Sequence, residues 1–160
     1  MEFRGYQALR RGRTSIPGQA YLLTTVSAAR RPWFVHADIA QVTAHWLASP
    51  GIWADTNLLA WVLMPDHWHA LVELGTQRTL STSIQHAKGA SSREVSARFG
   101  VYPLWQPGFH DRAMRCDEGL RVAARYVVAN PLRAGLVEAV EQYPYWYSVW
   151  GADALEDPFD

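Results

Sequence analysis

The stretch LLAWVLMPDHWHALVEL, residues 58 to 74, constrains the fold more than any other part of the chain. Two apolar runs are separated by Pro65 and Asp66, which favour a tight turn. Runs of this length and composition are typical of buried strands. The sequence therefore predicts two strands, 57–65 and 67–74, joined as an antiparallel hairpin.

Two histidines lie two positions apart in the second of these strands. Side chains in a strand alternate between faces, so His67 and His69 point to one face and Trp68 points to the other. Two imidazoles held on one face of a rigid strand can bind a single cation. The alternative is two histidines on a solvated sheet face without a metal.

The remaining hydrophobic periodicity adds two strands and three helices. The strands are expected over 19–28 and 109–115, and the helices over 36–49, 80–100 and 118–130. The order strand, helix, strand, strand, helix, strand predicts an α+β fold, a ferredoxin-like antiparallel sheet with helices on one face. The helix over 118–130, with Asp117 as its N-cap and Pro131 after its end, packs elsewhere on this body.

Length and cysteine content limit the domain organisation. The 160 residues suit one domain, 1–160, with a basic N-terminal arm (1–15) and an acidic tail (151–160). The single cysteine, Cys116, excludes an internal disulfide framework and a cysteine-built zinc site. Since no apolar run is long enough for a membrane helix or resembles a signal peptide, we expect a cytoplasmic protein without membrane contact.

The positive charge is almost entirely arginine. Of the 15 basic residues, Lys88 is the only lysine, although the formal net charge is zero. Arginine offers a planar fork of donors that suits phosphates and base edges, which favours a nucleic-acid partner. High genomic GC content is the alternative explanation. A net charge of zero argues against a protein that binds polyanions through its overall field.

A second motif is RYVVANPLRAGLV, residues 125 to 137. On a helical wheel, Tyr126 and Asn130 are four residues apart and share one margin of the apolar stripe. Tyrosine becomes a nucleophile with help from a nearby cation or base, and an asparagine amide oxygen can ligate a hard divalent ion. The alternative is that Tyr126 packs in the core and Asn130 merely ends the helix. Arg133 and Gly135 are expected to organise the turn that follows.

Together the two motifs carry a resemblance to a known family. MPDHWHALVEL resembles the His-hydrophobic-His motif of the HUH endonuclease superfamily, and RYVVANPLRAGLV resembles its single-tyrosine transposase branch. The chain is similar to the REP-associated tyrosine transposases, relatives of the IS200/IS605 transposases. The stretches GQAYLLTTVSAARRPWF, WQPGFHDRAMR and YPYWYSVW fit as well, so the resemblance covers nearly all of residues 10–150.

The resemblance implies a metal-dependent DNA endonuclease and strand transferase active in DNA transposition and recombination. Tyr126 would attack the scissile phosphate and form a 5′-phosphotyrosine with a free 3′-hydroxyl. His67, His69 and Asn130 would bind one Mg²⁺ or Mn²⁺ as Lewis acid. Another 3′-hydroxyl could then reverse the attack, which joins strands without ATP.

The family also implies a substrate, single-stranded DNA with palindromic repeat hairpins. Four arm residues could contact bases or phosphates unless the arm is merely solvated, namely Tyr6, Arg10, Arg11 and Arg13. Lys88 resembles a basic family position that could meet the DNA backbone, with a solvated lysine as the alternative. Strand alternation puts His110 and Arg112 on one face, where they could border the site, and Asp111 on the other. The aromatic segment YPYWYSVW is expected to pack around the last helix rather than stack on bases.

Two other functions stay open at this point. One is a catalytically silent hairpin-binding protein with a regulatory or architectural role. The other is a metal-dependent phosphodiesterase that uses water, with Tyr126 as a structural residue. We expect the active strand transferase, a monomer rather than a dimer with exchanged tyrosine helices, associated with the nucleoid.

Overall fold

Five antiparallel strands form one sheet in the computed structural model, which describes residues 15–115 and 119–151. The strands are β1 (Ala20–Val26), β2 (Asn57–Met64), β3 (His67–Glu73), β4 (His110–Ala113) and β5 (Trp146–Ser148). Their order across the sheet is β4-β1-β3-β2-β5. The first four strands have the ferredoxin-like arrangement, so the predicted fold class is confirmed.

Five α-helices and three short 3₁₀ turns connect the strands within the described residues. The α-helices are α1 (Ala37–Leu47), α2 (Pro50–Trp53), α3 (Leu80–Phe99), α4 (Leu120–Val128) and α5 (Asn130–Arg133). The 3₁₀ turns are Ala28–Arg30, Trp33–Val35 and Val140–Gln142. In the part of the chain that the structure describes, no helix is both long and apolar enough to cross a membrane.

Strand alternation sends apolar side chains to both faces of the sheet. On β3, Trp68 and Val72 are buried in the core beneath α1 and α3, whereas Leu71 is buried in a second core with Ala124 and Val127 of α4. In the described part of the chain, each face of the sheet thus packs against a hydrophobic core. Helix α4 therefore packs on the face opposite α1 and α3, the placement that periodicity alone left open.

Both ends of α4 are set by local backbone chemistry. The helix begins after Gly119 as N-cap and ends at Val128, three residues before Pro131. The predicted extension of this helix to residue 130, with Pro131 as its stop, is wrong, because Asn130 already belongs to α5. The predicted N-cap Asp117 lies outside the described residues. Pro131 instead occupies the first turn of α5, where a missing N–H costs nothing. Gly135, at φ 73°, then adopts the left-handed conformation that closes α5, as expected for the turn.

Strand β5 was not predicted from the sequence. Its backbone joins the β2 edge, and Trp146 packs against the core beneath α4. The Tyr143 hydroxyl donates a hydrogen bond to the Leu63 carbonyl, and burial raises the pKa of Tyr143 to about 12. The expected packing role of this aromatic segment is thus confirmed for Tyr143 and Trp146, while Tyr147 is 46% exposed.

Candidate active site on the α4 face of the sheet

His67 and His69 lie side by side on the face of the sheet that α4 covers. Their ring centroids are 4.9 Å apart and the ring planes are nearly perpendicular, at 89°. Trp68, between them in the chain, is 1% exposed in the opposite core. The predicted alternation is confirmed, because pairing with β1 on one side and β2 on the other holds β3 in a fixed register.

The Nδ1 atom of His67 is held by Asp66, the preceding residue in the chain. Nδ1 of His67 lies 2.7 Å from Oδ1 of Asp66, and Oδ2 of Asp66 lies 3.8 Å from Nη1 of Arg30. A carboxylate only accepts, so this contact favours the proton on Nδ1 and leaves the lone pair of a neutral His67 on Nε2.

The ring of His69 is oriented in the same way by β1. Its Nδ1 lies 2.8 Å from Oγ1 of Thr24 and 3.3 Å from the carbonyl oxygen of Leu23. A carbonyl only accepts, so the Leu23 contact favours the proton on Nδ1 and leaves the lone pair on Nε2. Burial, followed by the nearby His67, lowers the pKa of His69 to about 4. His69 is therefore neutral at pH 7 and able to donate a lone pair.

This donor set fits a divalent metal ion. Metal-binding histidines usually donate their second ring N–H to a carboxylate or carbonyl, as both histidines do here. Within residues 15–115 and 119–151, no three His, Cys, Asp or Glu side chains are grouped around a common metal position. Asn130, half-buried at the start of α5, carries an amide oxygen of the kind that Mg²⁺ and Mn²⁺ accept.

Tyr126 is presented to solvent by the helix that covers the histidine face. Its side chain is 58% exposed, whereas Ala124 and Val127 of the same helix are buried against the sheet. The Cζ atom of Arg133 lies 4.0 Å from the centroid of the Tyr126 ring. The alternative in which Tyr126 packs in the core is wrong.

Cross-strand pairing brings His110 and Arg112 to the same face. His110 pairs with Thr24, which in turn pairs with His69. His110, Thr24 and His69 therefore form one row across β4, β1 and β3. Arg112 and Tyr126 line one cleft of about 400 Å³ between β4 and α4. These two predicted neighbours of the site thus lie on its face, at the β4 edge of the sheet.

Lys88, another predicted DNA contact, lies apart from this face. Lys88 belongs to α3, on the other side of the sheet, and its Nζ donates to the carbonyls of Gln106 and Gly108 at 2.6 Å each. The arm residues lie outside the described part of the chain, namely Tyr6, Arg10, Arg11 and Arg13. A DNA role for these five residues stays a prediction.

Three residues organise the site although the sequence predicts no site role for them: Asp66 and Arg133 are expected only in turns, and Thr24 in a strand. Asp66 and Thr24 hold the two histidine rings, and Arg133 covers Tyr126. Asp66 directly precedes His67, and Arg133 follows Tyr126 by seven residues, close to two helical turns. Thr24 has no local signal, because only strand pairing brings it to His69.

A ferredoxin-like sheet with a histidine pair on a central strand, under a helix that presents an exposed tyrosine, has the HUH endonuclease fold. The family model described as "Transposase IS200 like" matches residues 16–130. The chain belongs to this IS200-like transposase family.

Individual relatives agree with this assignment. The REP-associated tyrosine transposase of Escherichia coli (strain K12) is 29% identical over 90 residues, which span 54% of this chain and 50% of that relative. The match thus covers about half the length of the curated relative. The solved structure of a REP-associated tyrosine transposase bound to a REP hairpin has a TM-score of 0.70 at 24% identity, covering 84% of this chain and 79% of that chain.

The fold also occurs in a protein with different chemistry. A bacterial tRNA(His) guanylyltransferase (Thg1)-like protein in complex with GTP has a TM-score of 0.50 at 14% identity, covering 89% of this chain and 78% of that chain. Since one fold supports unrelated reactions, the function has to be argued from the side chains of the site.

Proposed function

We propose that this protein is a metal-dependent endonuclease and strand transferase that cuts and rejoins single-stranded DNA at repeat hairpins. The observation that carries the proposal is the exposed Tyr126 on the helix that covers the face bearing His67 and His69. Burial in the core does not explain this tyrosine, because its side chain is 58% exposed while its helix covers the face that bears the two oriented imidazoles.

The chemical step uses the Tyr126 hydroxyl as nucleophile. Its oxygen forms a bond to the scissile phosphorus while the bond from phosphorus to the 3′-oxygen breaks. The tyrosine proton leaves to solvent, and the departing 3′-oxygen takes up a proton. His67 and His69 with Asn130 would hold Mg²⁺ or Mn²⁺, which supplies Lewis-acid polarisation of the phosphate. The broken ester is replaced by the new ester between phosphorus and the Tyr126 oxygen. A second 3′-hydroxyl can therefore reverse the step and join two strands.

Hairpin DNA is the substrate class that the comparisons support. A structural neighbour is bound to a REP hairpin, and His110 and Arg112 supply polar and cationic groups at the edge of the site. Arginine pairs well with phosphates and base edges. We infer a protein that works on chromosomal DNA at the nucleoid.

The position of α4 supports attack by the chain's own tyrosine. Helix α4 packs on β2 and β3 of its own chain, and Ala124 and Val127 are buried there. Because α4 places Tyr126 on the sheet of its own chain, no partner subunit has to supply the tyrosine. This favours a catalytic monomer over a dimer with exchanged helices.

The test uses end-labelled single-stranded oligonucleotides that carry the palindromic repeats flanking the gene. They are incubated with Mn²⁺ and separated on a denaturing gel. We expect a labelled protein adduct in the wild type that is absent without metal and in Tyr126→Phe. Tyr147→Phe, which also loses one exposed tyrosine hydroxyl, serves as the matched control and should keep the adduct.

Two results would contradict the proposal. Cleavage that persists in Tyr126→Phe would show a water nucleophile. Tight hairpin binding without any adduct, over several repeats and with both metals, would show a binding protein that has lost its chemistry.

A further inference from the structure

Arg133 lies where the proposed reaction brings a negative charge. It belongs to α5, which starts at Asn130 just after α4 ends at Val128, and its guanidinium lies over the Tyr126 ring. The Cζ atom is 4.0 Å from the ring centroid, within the range of a cation–π contact. Arg133 is exposed, so this contact holds the ring without burying either partner.

The contact with the ring also places Arg133 beside the proposed nucleophile. Because its Cζ atom lies 4.0 Å from the centroid of the ring that carries the Tyr126 hydroxyl, the guanidinium is close to any phosphorus that this oxygen attacks. A phosphate attacked by Tyr126 therefore comes within reach of Arg133.

We propose that Arg133 binds the scissile phosphate, exchanging the face of the Tyr126 ring for a non-bridging phosphate oxygen when DNA enters. This inference rests on the proposed function, since it needs a phosphodiester at Tyr126. Without DNA, the guanidinium holds the tyrosine ring in place. With DNA, it releases the ring, orients the phosphate and stabilises the charge that develops as the new bond forms.

The exchange is favoured by the strength of the two contacts. A cation–π contact at an exposed site is weaker than a charge-assisted hydrogen bond from a guanidinium to a phosphate, which can also be bidentate. Arg133 stays protonated throughout, so it adds no proton to the reaction. The Tyr126 proton still leaves to solvent, and the 3′-oxygen still receives one.

The kinetic test compares two substrates that differ at one atom. The scissile linkage, mapped with wild-type protein, is either an ordinary phosphodiester or a neutral methylphosphonate, in which a methyl group replaces one non-bridging oxygen. We expect Arg133→Gln to slow adduct formation on the phosphodiester by about 100-fold, the effect of removing one donor to a developing oxyanion. On the methylphosphonate, Arg133→Gln should react only about a few-fold more slowly than the wild type. The reason is that this linkage lacks the negative phosphate charge that Arg133 binds.

Two further variants separate this role from general damage. Arg133→Lys, which keeps the charge and loses the fork, should recover part of the rate on the phosphodiester. Arg93→Gln, an exposed arginine on α3 across the sheet, should leave both rates unchanged. An equal loss on both substrates for Arg133→Gln would overturn the proposal in favour of a structural role, and so would an unchanged rate.

A spectroscopic readout decides the inference even if no adduct forms. In protein labelled with ¹³C-tyrosine, the Tyr126 ring signal is identified by its absence in Tyr126→Phe. The hairpin oligonucleotide is added with EDTA to prevent cleavage. We expect it to move the Tyr126 signal toward the chemical shift that this ring has in the DNA-free Arg133→Gln variant, which has no guanidinium on the ring. A ring signal that stays in place while other tyrosine signals shift would mean that Arg133 remains on the ring, which overturns the inference. Failure of the proposed function shows separately, as an adduct that the wild type never forms.

Discussion

Oγ1 of Thr24 lies 2.8 Å from Nδ1 of His69, although the two residues are 45 positions apart in the chain. The contact exists because β1 pairs with β3 in a register that sets Thr24 opposite His69. Together with the Leu23 carbonyl it fixes the imidazole, and Asp66 does the same for His67. The sheet and the turn before β3 thus supply both the histidines and the groups that orient them.

Loss of the Asp66 carboxylate should weaken metal binding. Removing such a partner of a metal-binding histidine typically costs 10–100-fold in affinity, and we expect Asp66→Ala to weaken Mn²⁺ binding by about that factor. Isothermal titration of the DNA-free protein measures it. Asp38→Ala removes an exposed carboxylate from α1 on the other side of the sheet and should leave the affinity unchanged. Equal affinities for Asp66→Ala and wild type would argue against a metal at these histidines.

Acidification should destabilise the metal-free protein through His69. The pKa of this imidazole is lowered to about 4 by burial, from 6.5. The unfolded chain therefore binds a proton that the folded chain does not, and the associated stability is complete above pH 6.5 and is lost as pH falls toward 4. At ~1.4 kcal/mol per pKa unit, the upper limit of this loss is about 3 kcal/mol.

Urea unfolding at pH 7 and pH 5 tests this linkage. His69→Gln, which cannot be protonated, should lose less stability between the two pH values than the wild type loses. The exposed His45 of α1 provides the comparison, because His45→Gln should follow the wild type. A His69→Gln variant with the full wild-type loss would show that other groups govern the acid sensitivity.

Replacing the Tyr126 hydroxyl should leave the fold intact. The side chain is 58% exposed, and exposed substitutions usually change stability by less than about 0.5 kcal/mol. We expect Tyr126→Phe to melt within about 2 °C of the wild type by calorimetry. Val127→Ala, at the next position but 1% exposed, should cost about 2 kcal/mol. Marked destabilisation of Tyr126→Phe would assign the tyrosine a structural role.

Lys88 is expected to stabilise the loop before β4. Its ammonium donates to two backbone carbonyls, those of Gln106 and Gly108. Since a hydrogen bond to a charged group contributes about 1.5–3 kcal/mol, Lys88→Met should lower the free energy of unfolding by about 2 kcal/mol, with the exposed neighbour His86→Gln as control.

The salt dependence of DNA binding then shows whether Lys88 also contacts the phosphate backbone of the DNA. A side chain engaged only with carbonyls leaves the slope of log affinity against log salt unchanged. A slope reduced by about 0.7 would instead report one lost phosphate contact on a single strand.

The sequence by itself determined the features that depend on near neighbours. Alternation along a strand is a local property, so the shared face of His67 and His69 followed from two positions. The helical period put Tyr126 on the margin of α4. The order of strands and helices then predicted the ferredoxin-like sheet, since few topologies accommodate it.

Tertiary structure decided whatever depends on residues distant in the chain. Strand β5 has three residues, too few to show an alternating pattern, and it forms only because β2 offers an edge with free backbone groups. The side of the sheet that α4 covers depends on burial of Leu71 and Met64 beneath it. Long-range pairing put Thr24 beside His69 and set His110 in the same row, one strand further on. Such contacts follow from the packing of the whole chain, which no local pattern encodes.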